Sequence, residues 1–219
     1  MNNTTSTTGT STKAAASQSG NISTVKKLVF IAILGAVSFL LFLFNFPIPL
    51  APSFMKFDLA EIPALFAGFF MGPIAGFCVI AIRVLLKIVI QGSDTAFVGE
   101  LSNLIGSFVF VGTAALIYKM NRTKKGAVIA SIIATLAVSI FYVFLNLYVM
   151  FPLYSRLYGM PLDAIISMGT AINPRIVSLP TMMLFSVLPF NLVKHAVTDL
   201  VTFLIYKRAG SALRKLLYS

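Results

Sequence analysis

The sequence predicts an all-α fold: a six-helix integral membrane protein with its N and C termini on the cytoplasmic side. Three observations carry that reading. Of 219 residues, 58% are hydrophobic and only 11% charged, whereas a soluble domain carries roughly 25% charged residues. The mean hydropathy is +0.94. The apolar residues also fall into runs divided by Pro, Gly and basic breaks, with room for about six crossings of about 20 residues each. This excludes a soluble globular enzyme and a disordered chain. A single Cys excludes a disulfide framework and a cysteine-rich metal site.

Residues 1–24 are rich in Ser, Thr, Asn and Ala without apolar periodicity, and are predicted as a disordered tail. Residues 25–219 are predicted as one membrane domain. Lys26 and Lys27 precede an apolar run from Leu28 to Phe46. That run is longer than a signal peptide's apolar core of about 7–15 residues and lacks a small-x-small cleavage site, so it reads as a retained first helix. Pro47, Pro49 and Pro52 end it and begin an extended loop, since proline cannot continue the ladder. Residues 59–72 predict a short second helix, broken at Gly72-Pro73. A third helix is predicted from Ile74 to Ile90, a turn over 91–99, and a fourth from Glu100 to Tyr118. A basic stretch from Lys119 to Lys125 follows, then a fifth helix from Ala127 to Met150. Residues 151–179 read as a longer loop with a short helix over Pro161–Ile172. Pro180–Tyr206 is the sixth helix, and a basic tail from Lys207 to Ser219 closes the chain.

Charge placement orients the bundle. Lys13, Lys26, Lys27, Lys119, Arg122, Lys124, Lys125, Lys207, Arg208, Arg214 and Lys215 fall on one side. Only Lys56, Arg156 and Arg175 fall on the other, and Arg83, Lys87 and Lys194 lie within spans. The positive-inside bias makes both termini cytoplasmic. The basic patches thus read as orientation signals attracted to the anionic lipid bilayer, with no nucleic-acid partner.

Chemistry-bearing motifs are scarce. There is no Gly-x-x-x-x-Gly-Lys-Ser/Thr phosphate loop, no Gly-x-Ser-x-Gly elbow, and His195 is the only histidine. An enzyme, a cofactor and a metal site are not expected.

Polar groups at bilayer depth cost free energy unless paired, so each marks a binding site or a helix contact. Asn191, Lys194 and Thr198 share one face of helix six. Lys194 is too deep to snorkel to either surface. Ser139, Tyr142 and Asn146 form a stripe near the outer end of helix five, and Glu100, Asn103 and Ser107 one at the outer end of helix four. Asp58 and Glu61 lie where the outer loop meets helix two. The stripes predict an outward-opening pocket of amides and hydroxyls with one deep Lys. That suits a planar, largely neutral ligand with carbonyl and N–H edges and several hydroxyls, and not a polyphosphate, which wants clustered Arg. The alternative is that these groups only glue helices together. His195 and Asp199 are expected to form a structural i, i+4 hydrogen bond. Arg83 and Lys87 are expected to snorkel outward or pair with Asp94.

Small residues recur at four-residue spacing: Ala32 and Ala36 near the cytoplasmic end of helix one, and Ala60, Ala64, Gly68 and Gly72 along helix two. Such faces permit close helix approach. The helix-two stripe is expected to pack internally, and that of helix one to dock another membrane subunit.

The segments KFDLAEIPALFAGFFMGP (56–73), VGELSNLIGS (98–107), YKMNRTKKGA (118–127), NLYVMFPLY (146–154), INPRI (172–176) and PFNLVKH (189–195) carry a resemblance. In order and spacing, the chain from residue 26 onward resembles the riboflavin-specific S component, the substrate-binding subunit of energy-coupling factor (ECF) vitamin transporters. The resemblance implies riboflavin capture from outside the bacterial plasma membrane, with the loop between helices one and two acting as a lid. It implies a transmembrane coupling subunit and two cytoplasmic ATPase subunits as partners. The family's Ala-x-x-x-Ala docking motif maps onto Ala32 and Ala36. Its flavin-contacting polar residues map onto Asn146, Asn191 and Lys194, with Asp58 and Glu61 at the lid end. Other readings are an S component for another vitamin such as thiamine, a stand-alone carrier, or a ligand-free scaffold. A carrier is opposed by the lack of an inverted repeat and of a chain of titratable groups, and a scaffold leaves Lys194 unexplained.

Overall fold

The computed structural model describes residues 24–93, 95–159 and 161–218, with side chains except those of Tyr158 and residues 206–218. The predicted disordered tail, Thr24 apart, and Asp94 lie outside the described residues. The chain forms α1 (Thr24–Leu43), a two-residue strand pair β1 (Phe46–Pro47) and β2 (Lys56–Phe57), α2 (Glu61–Met71), α3 (Pro73–Gln91) and α4 (Val98–Met120). Then come α5 (Lys124–Leu145), α6 (Phe151–Tyr158), α7 (Leu162–Thr170), α8 (Leu179–Met182) and α9 (Leu188–Tyr218).

Side-chain contacts fix how the helices run. Gly76 of α3 lies beside Val111 of α4, while Arg83 reaches Ser107 and Lys87 reaches Glu100, so α3 and α4 are antiparallel. Tyr142 against Gly106 makes α5 antiparallel to α4, and Thr135 bonded to Asp199 joins α5 to α9. Glu61 level with Ser107 and Gly68 against Ala115 set α2 parallel to α4. The chain therefore alternates direction, and α9 leads back to the end of the bundle where α1 begins. The core is apolar and fully enclosed at Leu65, Ile80, Phe110, Val111 and Val138. Large apolar side chains such as Ile33, Val89, Ile132 and Leu204 point outward. That is the inverse of a soluble helix's polar outer face and fits lipid as solvent.

Five helical segments are long and apolar enough to cross a membrane: Thr24–Leu43, Pro73–Gln91, Val98–Met120, Lys124–Leu157 and Leu179–Ile205. The expected sixth span is corrected to a partial one. α2 has 11 residues, about 16 Å of helix against a hydrocarbon core of about 30 Å. It reverses at Gly72, whose φ of 97° lies where a side chain would strain the backbone, and Pro73 then starts α3. The small-residue stripe of α2 is used internally: Ala60, Ala64 and Gly68 are buried, and Gly68 faces Val111 and Ala115.

The fifth helix also runs further than expected. Its expected end is Met150, yet helix continues past Pro152 to Tyr158 through a π turn at Asn146–Met150. A second π turn, Met183–Val187, precedes Pro189 in the same way. Proline lacks an N–H and its ring crowds the carbonyl four residues back; widening the preceding turn accommodates both without ending the helix. The predicted helix over Pro161–Ile172 is present as α7. The predicted basic tail continues as helix to Tyr218.

Candidate ligand cavity

The space that α2 leaves above its own N-terminus is a cavity of about 630 Å³, within the usual range for small-molecule sites. It is bounded by the end of α1, the 44–60 loop, α3, the start of α4, the α5–α6 helix and α9. The loop is pinned at its rim. Its β1–β2 pair folds it back on itself, Ser186 donates to the Leu50 carbonyl at 3.2 Å, and Ser38 donates to the Ala60 carbonyl at 2.5 Å. Phe54 of the loop meets Phe151 edge-on at 6.0 Å, and with Tyr154 and Phe190 these rings supply an aromatic wall.

Of the predicted site residues, Asp58, Glu100, Asn103, Tyr142, Asn146, Asn191 and Lys194 line this one cavity. The two amides sit beside the π turns. Asn146 opens the first and donates to the Tyr142 carbonyl, and Asn191 lies just past the second and donates to the Val187 carbonyl, both at 2.8 Å. Each amide keeps its side-chain oxygen for another partner. π turns recur at functional sites because they re-aim side chains. Lys194 donates to Asp58 at 2.8 Å, both nearly fully buried. Burial alone raises the Asp58 carboxyl, but Lys194 and Arg83 outweigh it and hold the group below its ordinary value. Asp58 also accepts from the Ala60 amide at 3.0 Å.

Two predicted residues do not line the cavity. Glu61 lies beneath its floor, accepting from Ser107 at 2.8 Å and facing His195 at 3.3 Å. Thr198 bonds back to the Lys194 carbonyl at 2.9 Å inside its own helix. The His195–Asp199 pair is absent. His195 Nδ1 instead meets the Asn191 carbonyl at 2.8 Å, and Asp199 accepts from Thr135 at 2.8 Å. Four residues apart on α9, the two side chains find nearer partners on α2 and α5.

Arg83 does not snorkel outward, whereas Lys87 does reach the outer end of α3, donating to the Gly92 carbonyl at 2.9 Å. Arg83 is 3% exposed and donates to Ser107 at 2.8 Å, while Lys87 pairs with Glu100, which also accepts from Ser93 and Thr95. The pocket is thus more charged than the predicted amides and hydroxyls with one Lys. Arg83 was the legible omission: it lies ten residues into α3 and eight from its end, too deep for an easy reach to either surface. Phe54, Thr95 and Tyr154 carry no comparable signal, because loop and aromatic residues at those spacings are ordinary. Among the described residues no cluster of His, Cys, Asp and Glu is arranged to hold a metal.

The family described as "ECF transporter, substrate-specific component" matches residues 26–206, which contain every element that builds the cavity. The chain belongs to the substrate-specific (S) components of ECF transporters. This S component is 32% identical over 183 residues to the riboflavin transporter FmnP of Bacillus subtilis, covering 83% of this chain and 90% of that one. It is 31% identical over 196 residues to the riboflavin transporter RibU of Staphylococcus aureus, covering 90% and 96%. A solved structure described as "Structure and mechanism of the S component of a bacterial ECF transporter" superposes with a TM-score of 0.68 at 31% identity, covering 86% of this chain and 98% of that one. S components bind and pass on a substrate, so the protein is a multi-pass membrane protein and not an enzyme. On its α1, Ala32 and Ala36 are exposed, while Gly35, on the adjoining row of the helix, packs against Ile82.

Proposed function

We propose that this chain captures riboflavin from outside the bacterial cell and delivers it through an ECF module. The observation that carries the reading is one cavity that Asn146, Asn191 and Lys194 line together with the rings of Phe54, Phe151, Tyr154 and Phe190. The pyrimidine edge of isoalloxazine offers carbonyls and an N–H to two amides and an ammonium. The ribityl chain needs several polar partners, which Asn103, Tyr142, Glu100 and Thr95 provide along the α4–α5 side. The benzenoid edge packs on Phe54, Phe151 and Phe190. Relatives named as riboflavin transporters at about 30% identity over most of the chain support the same substrate.

The cavity opens at the end of the bundle away from the Arg122–Lys125 turn. The positive-inside bias makes that turn and both termini cytoplasmic, so the opening faces outward. The 44–60 loop serves as the lid. Transport needs partners: a transmembrane coupling subunit, docked on the exposed Ala32 and Ala36 face of α1, and two cytoplasmic ATPase subunits. Small residues there let a partner helix approach closely.

Riboflavin fluorescence titrated with purified protein in detergent is the test. Quenching at stoichiometric protein is expected, because the ring stacks and loses water. No quenching at micromolar protein, with thiamine bound instead, would overturn the substrate.

A further inference from the structure

Beneath the cavity floor a row of buried polar groups has a proton count that its geometry fixes. His195 Nδ1 lies 2.8 Å from the Asn191 carbonyl oxygen. A carbonyl can only accept, so Nδ1 carries the hydrogen. The other ring nitrogen, Nε2, faces Glu61 Oε2 at 3.3 Å, and neither atom has a hydrogen-bond partner. Two buried acceptors at that distance repel and are both unsatisfied, a costly arrangement in a dry bundle. One proton between them, on either atom, removes both problems. The Glu61–His195 pair then carries no net charge.

The remaining charges of the floor do not cancel. Asp58 neutralises Lys194. Among the described residues, Arg83 has one hydrogen-bond partner, the hydroxyl of Ser107, and no carboxylate at salt-bridge distance. Ser107 in turn donates to Glu61 Oε1 at 2.8 Å, which turns its lone pair toward the guanidinium. A buried Arg with four of its five donors uncommitted has the cavity as its one outlet.

We propose that Arg83 is a specificity-determining ligand residue: its guanidinium, oriented by Ser107 and left without a counter-ion by the proton that Glu61 and His195 share, receives the electron-rich carbonyl edge of the bound ring. Ser107 and Glu61 are positioning residues that act through it. A flat, forked donor at the floor selects a ring whose carbonyl or imide acceptors lie in plane, and disfavours a cationic ring. The inference rests on the riboflavin reading above and adds a residue to it.

The experiment compares riboflavin with its 2-thio and 4-thio analogues, in which sulfur replaces one ring carbonyl oxygen and accepts hydrogen bonds poorly. Binding is measured on wild type, Arg83→Met, Ser107→Ala and the double variant. Arg83→Met is expected to weaken riboflavin binding ten- to hundredfold and to abolish the wild-type preference for oxygen over sulfur at one of the two positions. Ser107→Ala is expected to weaken binding less, and to add nothing in the Arg83→Met background. If Arg83→Met does not fold, Arg83→Lys, which keeps the charge and loses the fork, is read in its place and should lose part of the same preference. Unchanged discrimination between oxygen and sulfur in the Arg83 variant, or additive losses in the double variant, overturns the role of Arg83. Wild-type protein that binds no riboflavin overturns instead the substrate reading on which it rests.

Discussion

Lys194 brings a full charge into the bundle because Asp58, from a loop 136 residues earlier in sequence, meets it at 2.8 Å. The pair has two uses that substitution can separate. Its Coulomb attraction offsets the desolvation of both groups, and the ammonium retains two N–H donors for a ligand. Lys194→Met is expected to weaken riboflavin binding roughly ten- to hundredfold, by loss of a charge-assisted hydrogen bond of about 1.5–3 kcal/mol. It also strands the Asp58 carboxylate, so the unliganded protein should lose about 3–5 kcal/mol of stability. Adding Asp58→Asn should restore much of the melting temperature and none of the affinity. Fluorescence titration and thermal melts on the two variants check this; recovery of affinity in the double variant would reduce Lys194 to a structural partner. Sequence spacing made Lys194 legible because depth alone marks a cation as functional. The same spacing left its partner, the inward turn of Arg83 and the Glu100 partner of Lys87 undetermined. A helical residue's direction is set by what waits across the interface, here Ser107 on α4 and Glu100 near the α4 start.

Helix α1 carries small residues on two adjoining rows, one turned to α3 and one turned outward. Gly35 lies so close to α3 that an added Cβ would sit 2.5 Å from an Ile82 methyl. Gly35→Ala should therefore destabilise the protein by about 1–3 kcal/mol through overpacking, read as a lower melting temperature. Ala32 and Ala36, one residue row away and exposed, have nothing inside the chain to clash with. Ala32→Trp with Ala36→Trp should bind riboflavin normally and fail to co-purify with the coupling subunit or support uptake. Wild-type assembly would reject this face as the docking site, whereas lost affinity would show that this face, and not only Phe42 and Leu43 at the end of α1, shapes the cavity. Apolar run lengths made every long helix visible in the sequence. The continuation past Pro152 was not visible, because a π turn costs no residue type that a pattern could detect. What marks it afterwards is Asn146, held at its first position with the amide turned to the Tyr142 carbonyl.

The bundle as a whole alternates direction, and its net charge of +11 is concentrated at the ends of the bundle. With Cys78→Ser as background, a Cys at Arg122 should resist a membrane-impermeant maleimide in intact cells, and a Cys at Ser53 in the loop should react. The reverse pattern would invert the orientation and place the cavity on the cytoplasmic side. In sealed vesicles the purified chain alone should retain bound riboflavin and accumulate none, since it has no phosphate loop to spend ATP.

The short α2 has a further consequence for what the ligand is to the architecture. Five staves of the barrel run its full height, and the sixth stops partway, so the volume above Glu61 belongs to no helix. On the proposed reading, a flavin seated there would stand in the row where another two turns of helix would stand, beside the same neighbours on α3, α4 and α9. On that reading the chain is a bundle one piece short, and its cargo would be the missing piece. A molecule that binds only the folded state raises its stability in proportion to the logarithm of ligand concentration, so filling the gap should raise the melting temperature of the whole bundle.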